Sequence, residues 1–459
     1  MVSTTEASET KNEFSGLSED KEKKHIQLIE KTYRSNTDSD YTEKIEALGK
    51  NFDYSSNSDH YWGIPELSTF YGTPLYETTS PSQKLALNHL YWVGQYYHTA
   101  SAEANTMLYN QVTTGVFEKI GGYETLCKEL NVETAQEKFH INTFQRVGYK
   151  TKLALLGKES LGNPLHKKLN KSTSSLLRRL NKSTSLESDS SWETFQESTL
   201  RSVTKLMHRD KAGYYSQYLA EKSSDPIPTA TGGLAGVTAS PFAFKFLTLN
   251  WGSSPFLAAQ YYSARMVANM SLKAYEHRYF KRFKDLEKSN EFIAAPTAVS
   301  YYHLLDEAFH TTMSQTIAQE VYKDFAKPTA YEKLLSNVII YRLQTGLIGG
   351  LSGVLPVVFR DDASFMTSYY RLLTSRIFGM SSQEALEWME KCLCHEHEGF
   401  HVNLKFHQSL LSDMRRFFAP LDYLWPVNRE MRIMAAGGSI DRAIKRNVVS
   451  FTQFAKSVA

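Results

Sequence analysis

Glu137-Lys-Phe-His140 and Glu307-Ala-Phe-His310 each set a carboxylate and an imidazole three residues apart. On a helix that spacing puts both groups on one face. Carboxylates are hard ligands that neutralise and bridge metal ions, and imidazoles complete the coordination. A pair of irons in a four-helix bundle takes one Glu from each of two helices and a Glu-x-x-His from each of the other two. The sequence supplies these contributions in chain order as Glu103, Glu137 with His140, Glu276, and Glu307 with His310. His303 lies one turn before Glu307 on the same face and can add a seventh ligand. A lone Glu-x-x-His is weak evidence, since Glu22-Lys-Lys-His25 also matches within a polar stretch. Taken singly, Glu103 and Glu276 also read as exposed helix carboxylates, and the histidines as hydrogen-bonded core residues. Their order and helical setting favour a metal centre.

Such a site needs four helices to carry it. Ser80 as N-cap, Pro81 at the first helical position and Gln83 two residues on predict a helix over 81–112. Further helices are expected over 134–156, 255–289 and 296–323, the last again opening on a proline. Sustained strand alternation is absent, so the predicted class is all-α, a four-helix bundle with additional helices and a long insertion.

Residues 1–60 are rich in Ser, Thr, Asp, Glu and Lys and are expected to be mostly disordered, with one helix near KKHIQLIEKTY. The bundle is expected over 61–330. Within it, a biased segment over about 158–235 repeats LNKSTS at 169 and 180 and carries only basic charge between 160 and 186. It reads as a loop-like insertion. Residues 331–459 read as a helical extension packed on the bundle.

With 52 basic and 49 acidic residues the net charge is +3, which gives no global argument for nucleic acid or an anionic membrane. Three cysteines, Cys127, Cys392 and Cys394, are too few for a disulfide framework. The N-terminal residues lack an apolar signal core, so the chain is read as cytoplasmic. GLIGGLSGVLPVVF at 346–359 is too short and too interrupted to span a bilayer.

With these motifs, the segment YWGIPELSTFYGTPLYETTSPSQKLALNHL and the Glu276-to-His303 spacing, residues 61–320 resemble the p-aminobenzoate (arylamine) N-oxygenases, ferritin-like non-haem di-iron enzymes. The resemblance implies a ferritin-like bundle with Glu103, Glu137, His140, Glu276, His303, Glu307 and His310 as ligands of two iron ions. It further implies O2 as co-substrate, a small-molecule amine as substrate, an external ferredoxin or reductase and a homodimer. The chain departs from that family in the long separation between His140 and Glu276 and in its longer C-terminal part. C–H hydroxylation or desaturation at the same centre is the alternative chemistry.

Two other readings compete. His397-Glu398-Gly-Phe-His401 matches a zinc-peptidase motif, with His407 where a third ligand would lie. That third position requires a Gly to end the helix, and Leu404 stands there instead. A helical scaffold whose basic insertion recruits an acidic partner is the non-enzymatic alternative.

Overall fold

A computed structural model describes residues 23–158, 190–208, 216–220, 225–228, 241–346, 351–354 and 365–458. Among them the chain is all-α, with no strand. The helices are α1 (Lys24–Thr37), α2 (Tyr41–Asn51), α3 (Pro74–Thr78), α4 (Pro81–Ile120), α5 (Glu124–Leu156) and α6 (Ser190–Met207). They continue with α7 (Pro241–Trp251), α8 (Pro255–Ser289), α9 (Ala295–Gln319), α10 (Ala330–Gly346), α11 (Phe365–Leu373) and α12 (Ser382–Cys394). The last are α13 (Glu398–Phe418), α14 (Pro426–Arg429), α15 (Arg432–Gly437) and α16 (Ile440–Val458).

The ferritin-like core is two helical hairpins. Ser80 and Gln83 form the expected capping box at the start of α4, which satisfies two otherwise orphaned amide groups. Gly121, at φ 78°, ends α4 in a conformation that side-chain-bearing residues rarely adopt, and α5 follows directly. The second hairpin starts with Ser254 accepting from the Leu257 amide and turns on Asn290, which adopts the left-handed conformation at φ 55°. α4 packs on α5, α8 on α9, and α4 on α8.

The remaining side of the bundle lies between α5 and α9, and α1 and α2 close it by packing on both. Of the segment expected to be mostly disordered, residues 1–22 lie outside the described ones, α1 is the helix expected near KKHIQLIEKTY, and α2 is a helix in addition to it. On α1 and α2, Ile29 and Ile45 are buried at 2% and 0% exposure. In α2 the apolar spacing is diluted by polar residues, so composition concealed a helix whose narrow inner face belongs to the core. α4 and α5 also extend beyond the expected limits, to Ile120 and back to Glu124.

Residues 159–189 of the expected insertion lie outside the described ones. The part from Ser190 to Met207 is a helix, so the segment is not wholly loop-like. Leu200 on it is buried with Leu219, Ile227 and Leu249. In the C-terminal part, α10 and α13 pack along α8, while α12 and α16 pack on each other. No helix among the described residues is long and apolar enough to cross a membrane.

Two apolar layers divide the bundle. One contains Trp92, Tyr96, Ile141, Phe144, Val147 and Val299. The other contains Val116, Leu126, Leu130, Met266, Met313 and Ile317. Along α5 and α9 the stretches 133–140 and 303–310 fall between these layers, where burial would be costly for unpaired polar groups.

Candidate metal centre

All seven residues singled out from the sequence are buried inside the bundle, with Glu307 the most exposed at 8%. Glu103 comes from α4, Glu137 and His140 from α5, Glu276 from α8, and His303, Glu307 and His310 from α9. Ligand-type atoms of Glu103, His140, His303 and Glu307 gather in one group, and those of Glu133, Glu137 and His310 in a second, each within 4.8 Å. Glu133 was not singled out. It lies four residues before Glu137, one helical turn away on the same face, and that register was its available signal.

Glu276 occupies a different place from the one the bundle pattern assigns. Its carboxylate is 2.7 Å from His303 Nδ1, while His303 Nε2 is 2.9 Å from Glu103 Oε1 and 3.8 Å from Glu307 Oε1. Glu276 therefore binds the far side of the imidazole and directs Nε2 toward the first group. A carboxylate on the distal nitrogen fixes a ligand histidine's tautomer and ring orientation.

His140 and His310 are oriented the other way round. Nδ1 of His140 faces Glu137 Oε2 at 3.3 Å, and Nδ1 of His310 faces Glu307 Oε1 at 2.7 Å. Their Nε2 atoms point outward, to Asp306 Oδ2 at 2.8 Å and Gln136 Oε1 at 2.9 Å. Each partner immediately precedes the glutamate of the opposite helix. Gln136-Glu137-x-x-His140 and Asp306-Glu307-x-x-His310 thus support one another crosswise.

The first two helices complete this outer layer. Thr42 on α2 donates to Asp306 Oδ2 at 2.6 Å. Asn36 on α1 donates to Gln136 Oε1 at 3.1 Å and to Glu129 Oε1 at 2.8 Å, and accepts from Gln136 Nε2 at 2.7 Å. Gln136 Nε2 also donates to Asp306 at 3.2 Å, so the supports of the two histidines are joined.

Charge is balanced within the cluster. Burial opposes protonation of His140, but the Asp306 and Glu137 hydrogen bonds hold its pKa up at about 9. Burial likewise opposes charge on His310, and the carboxylates of Glu307 and Glu133 raise it to about 10. Burial pushes Glu103 up to about 7, with Glu137 adding to the rise and His303 opposing it. Glu307 is held well below the usual carboxylate range by His310 despite its burial. Arg265 of α8 brings a buried guanidinium to Glu133 and, at 3.3 Å, to Glu137.

The donor set suits divalent cations. Glu103 Oε2 is buried without a hydrogen-bond partner, which is costly for a carboxylate unless a cation lies against it. Hard oxygen donors and imidazoles with fixed distal nitrogens are the groups that hold iron in such bundles.

The His397-Glu398-x-x-His401 motif builds no comparable cluster among the described residues. His397 caps α13, accepting from the Gly399 amide, and donates from Nε2 to the Cys392 carbonyl at 2.7 Å. His401 pairs with Glu396 at the surface, and His407 is buried against the Met434 carbonyl at 2.8 Å. Gly399 serves packing: a Cβ there would collide with the Gly353 carbonyl.

Long antiparallel helices converging on buried carboxylates and imidazoles define an all-α, ferritin-like fold with a metal-binding donor set. The chain belongs to the CylC-like acyl halogenase family, whose model matches residues 24–455. The match opens on the first residue of α1 and ends within α16, so the N-terminal helix pair and the C-terminal helices both lie inside the family's extent. The family is of the non-haem iron, ferritin-like enzyme type, which agrees with the class that the sequence resemblance implies. No curated protein and no solved structure matches the chain.

Proposed function

We propose that this protein is an O2-dependent, non-haem di-iron enzyme that oxidises an acyl chain and replaces a hydrogen on it by halogen. The single observation that supports the metal chemistry is the meeting of buried ligand-type atoms of Glu103, His140, His303 and Glu307 within 4.8 Å of one another. The acyl and halide parts follow from the description of the family that matches the chain. Glu103, His140, His303 and Glu307 would hold one iron, and Glu133 or Glu137 with His310 the other. Bound there, the metals would supply redox equivalents and Lewis acidity that side chains lack.

The chain's own contribution is positional. Asp306, Gln136 and Glu276 keep three imidazoles turned inward. Tyr96 and Phe144 pack edge-on to His303, with ring centroids at 5.8 and 4.9 Å, and provide a dry, apolar wall on that side. Such a wall excludes water and suits a hydrocarbon substrate. Electrons would come from an external ferredoxin or reductase. The presence of His303 within the cluster supports a second reading, N-oxygenation of an amine.

One experiment separates the two. Protein reconstituted anaerobically with Fe(II) is given reductant, O2 and either a fatty acyl thioester or an arylamine, with and without chloride. A chlorinated acyl product that needs chloride supports the halogenase reading. An oxidised amine whose yield ignores chloride supports the second. Failure to retain iron would reject both.

A further inference from the structure

A line of oxidisable aromatic rings runs from the metal cluster to the protein surface. The Tyr96 ring lies 5.8 Å from the His303 ring and 4.4 Å from Trp92. Trp92 meets Trp62 at 5.8 Å, and Trp62 meets Tyr54 at 6.1 Å, all measured between centroids. Trp62, Trp92 and Tyr96 are fully buried, whereas Tyr54 is partly exposed. Aromatic cores are common, and packing alone explains rings in contact. The polar end of this line is what packing does not require.

Tyr54 Oη lies 3.0 Å from His89 Nδ1, and His89 Nε2 lies 2.9 Å from the His60 carbonyl. A carbonyl only accepts, so Nε2 carries the imidazole hydrogen and Nδ1 presents a lone pair to the tyrosine hydroxyl. Burial lowers the His89 pKa to about 4, which keeps the ring neutral and able to take up a proton. Trp62 stacks on His89 at 4.1 Å and 23°, a geometry that would stabilise the imidazolium once formed. The phenol therefore has a base fixed on its hydroxyl at the solvent-facing end of the line.

We propose that Trp92, Trp62 and the Tyr54–His89 pair form an electron path by which an oxidising equivalent leaves the metal centre and comes to rest on Tyr54. The proposal rests on the metal reading above, which supplies the one-electron oxidant, an O2-oxidised iron centre. Trp92 gives one electron to that centre, with the Tyr96 ring lying between them. Trp92 is refilled by Trp62, and Trp62 by Tyr54. The indoles keep their N–H protons, which are bonded to Ser300 Oγ at 2.8 Å and to the Asn57 carbonyl at 3.0 Å. Tyr54 loses one electron overall and passes its phenolic proton to His89 Nδ1, leaving a neutral phenoxyl beside an imidazolium. One electron from the external donor, with return of the proton, restores the pair. The path would spare the ligands when O2 is activated without substrate.

The test uses the full chain loaded with Fe(II), mixed with O2 without substrate, and frozen at intervals for electron paramagnetic resonance. Iron content and Fe(II) oxidation are recorded in parallel. The expected result is a phenoxyl signal that narrows on labelling with ring-deuterated tyrosine. It should be lost in Tyr54→Phe and in Trp62→Phe at unchanged iron content, and shorter-lived in His89→Gln. Iron oxidation without a radical, or a radical undiminished in Tyr54→Phe, would overturn the path while leaving the metal reading intact. An undiminished lifetime in His89→Gln would overturn the assignment of His89 as the proton acceptor. Absence of iron uptake would overturn the metal reading and the path together.

Discussion

Asp306 Oδ2 accepts a hydrogen bond from His140 Nε2 at 2.8 Å, joining α9 to α5 across the middle of the bundle. The bond commits the distal nitrogen of His140, so Nδ1 is the nitrogen that faces Glu137 and Glu103. Asp306→Asn keeps the shape but removes the negative charge and sets an amide beside the ring. Loss of an outer partner of this kind typically lowers metal affinity roughly 10–100-fold. Iron titration of Asp306→Asn should show such a fall, and an unchanged affinity would remove Asp306 from the site.

The first two helices are expected to matter for metal binding as well as for folding. Removing residues 1–51 takes away Asn36 and Thr42, which bond Gln136 and Asp306. The truncated chain should bind iron more weakly. Ile45→Ala, which leaves the polar contacts in place, should cost about 2–5 kcal/mol of stability, the range for deleting a buried aliphatic side chain. Urea unfolding of the substituted protein and iron titration of the truncated one are the measurements. A truncated chain with full iron affinity would show that α1 and α2 only cover the bundle.

The order Glu, Glu-x-x-His, Glu, Glu-x-x-His was legible because i,i+3 spacing survives into three dimensions on any straight helix. His303 was legible for the same reason, being four residues before Glu307. Glu276 was harder, because spacing along one helix does not say whether a carboxylate reaches a metal or the back of another helix's imidazole. Glu133 had only its one-turn register with Glu137 as a signal, and Arg265 escaped because a buried ion pair between distant helices leaves no local period. α1 was legible in KKHIQLIEKTY, whereas composition concealed α2, whose inner face is narrow and whose outer face is charged. Nothing in its spacing separates Asp306 from a solvent-facing helix residue, and only the packing of α2 and α5 against α9 buries it on His140.

Stability should carry a specific acid dependence through His89. Its folded pKa is about 4 against an ordinary 6.5, so between those values the unfolded chain binds a proton that the folded chain does not. The associated stability is fully present above pH 6.5 and is lost as pH falls toward 4, on the order of 3 kcal/mol. Tyr54, with its hydroxyl on Nδ1, stays neutral throughout, its pKa raised by burial to about 12. Urea midpoints of wild type and His89→Gln, followed across that window, should show a steeper loss in the wild type. Parallel curves would mean that His89 is not held neutral.

The His397-Glu398-x-x-His401 segment should behave as a helix start. Glu398→Ala and His401→Ala alter an exposed and a half-exposed side chain and should change stability by no more than about 0.5 kcal/mol, with iron content unaffected. Gly399→Ala should destabilise the protein, because the added carbon meets backbone at Gly353. A zinc site would give the reverse pattern, with Glu398→Ala abolishing an activity. Thermal unfolding with metal analysis distinguishes the two.

Arg265 offers the sharpest test of how the buried charge is balanced. Its guanidinium meets Glu133 and Glu137 in an environment where all three groups are almost fully withdrawn from water. Removing one member of a buried pair leaves the other uncompensated, and typically costs about 3–5 kcal/mol. Arg265→Met should therefore be strongly destabilising in iron-free protein. Burial already disfavours ionisation of Glu133, with Arg265 acting against that tendency. Adding Glu133→Gln to Arg265→Met should recover a large part of the loss, since the amide has no charge to be stranded, while Glu133→Gln alone leaves Arg265 with Glu137. A double-mutant cycle on urea unfolding measures the coupling directly. Additive single effects would show that Arg265 does not neutralise Glu133 and that its partner is Glu137 alone.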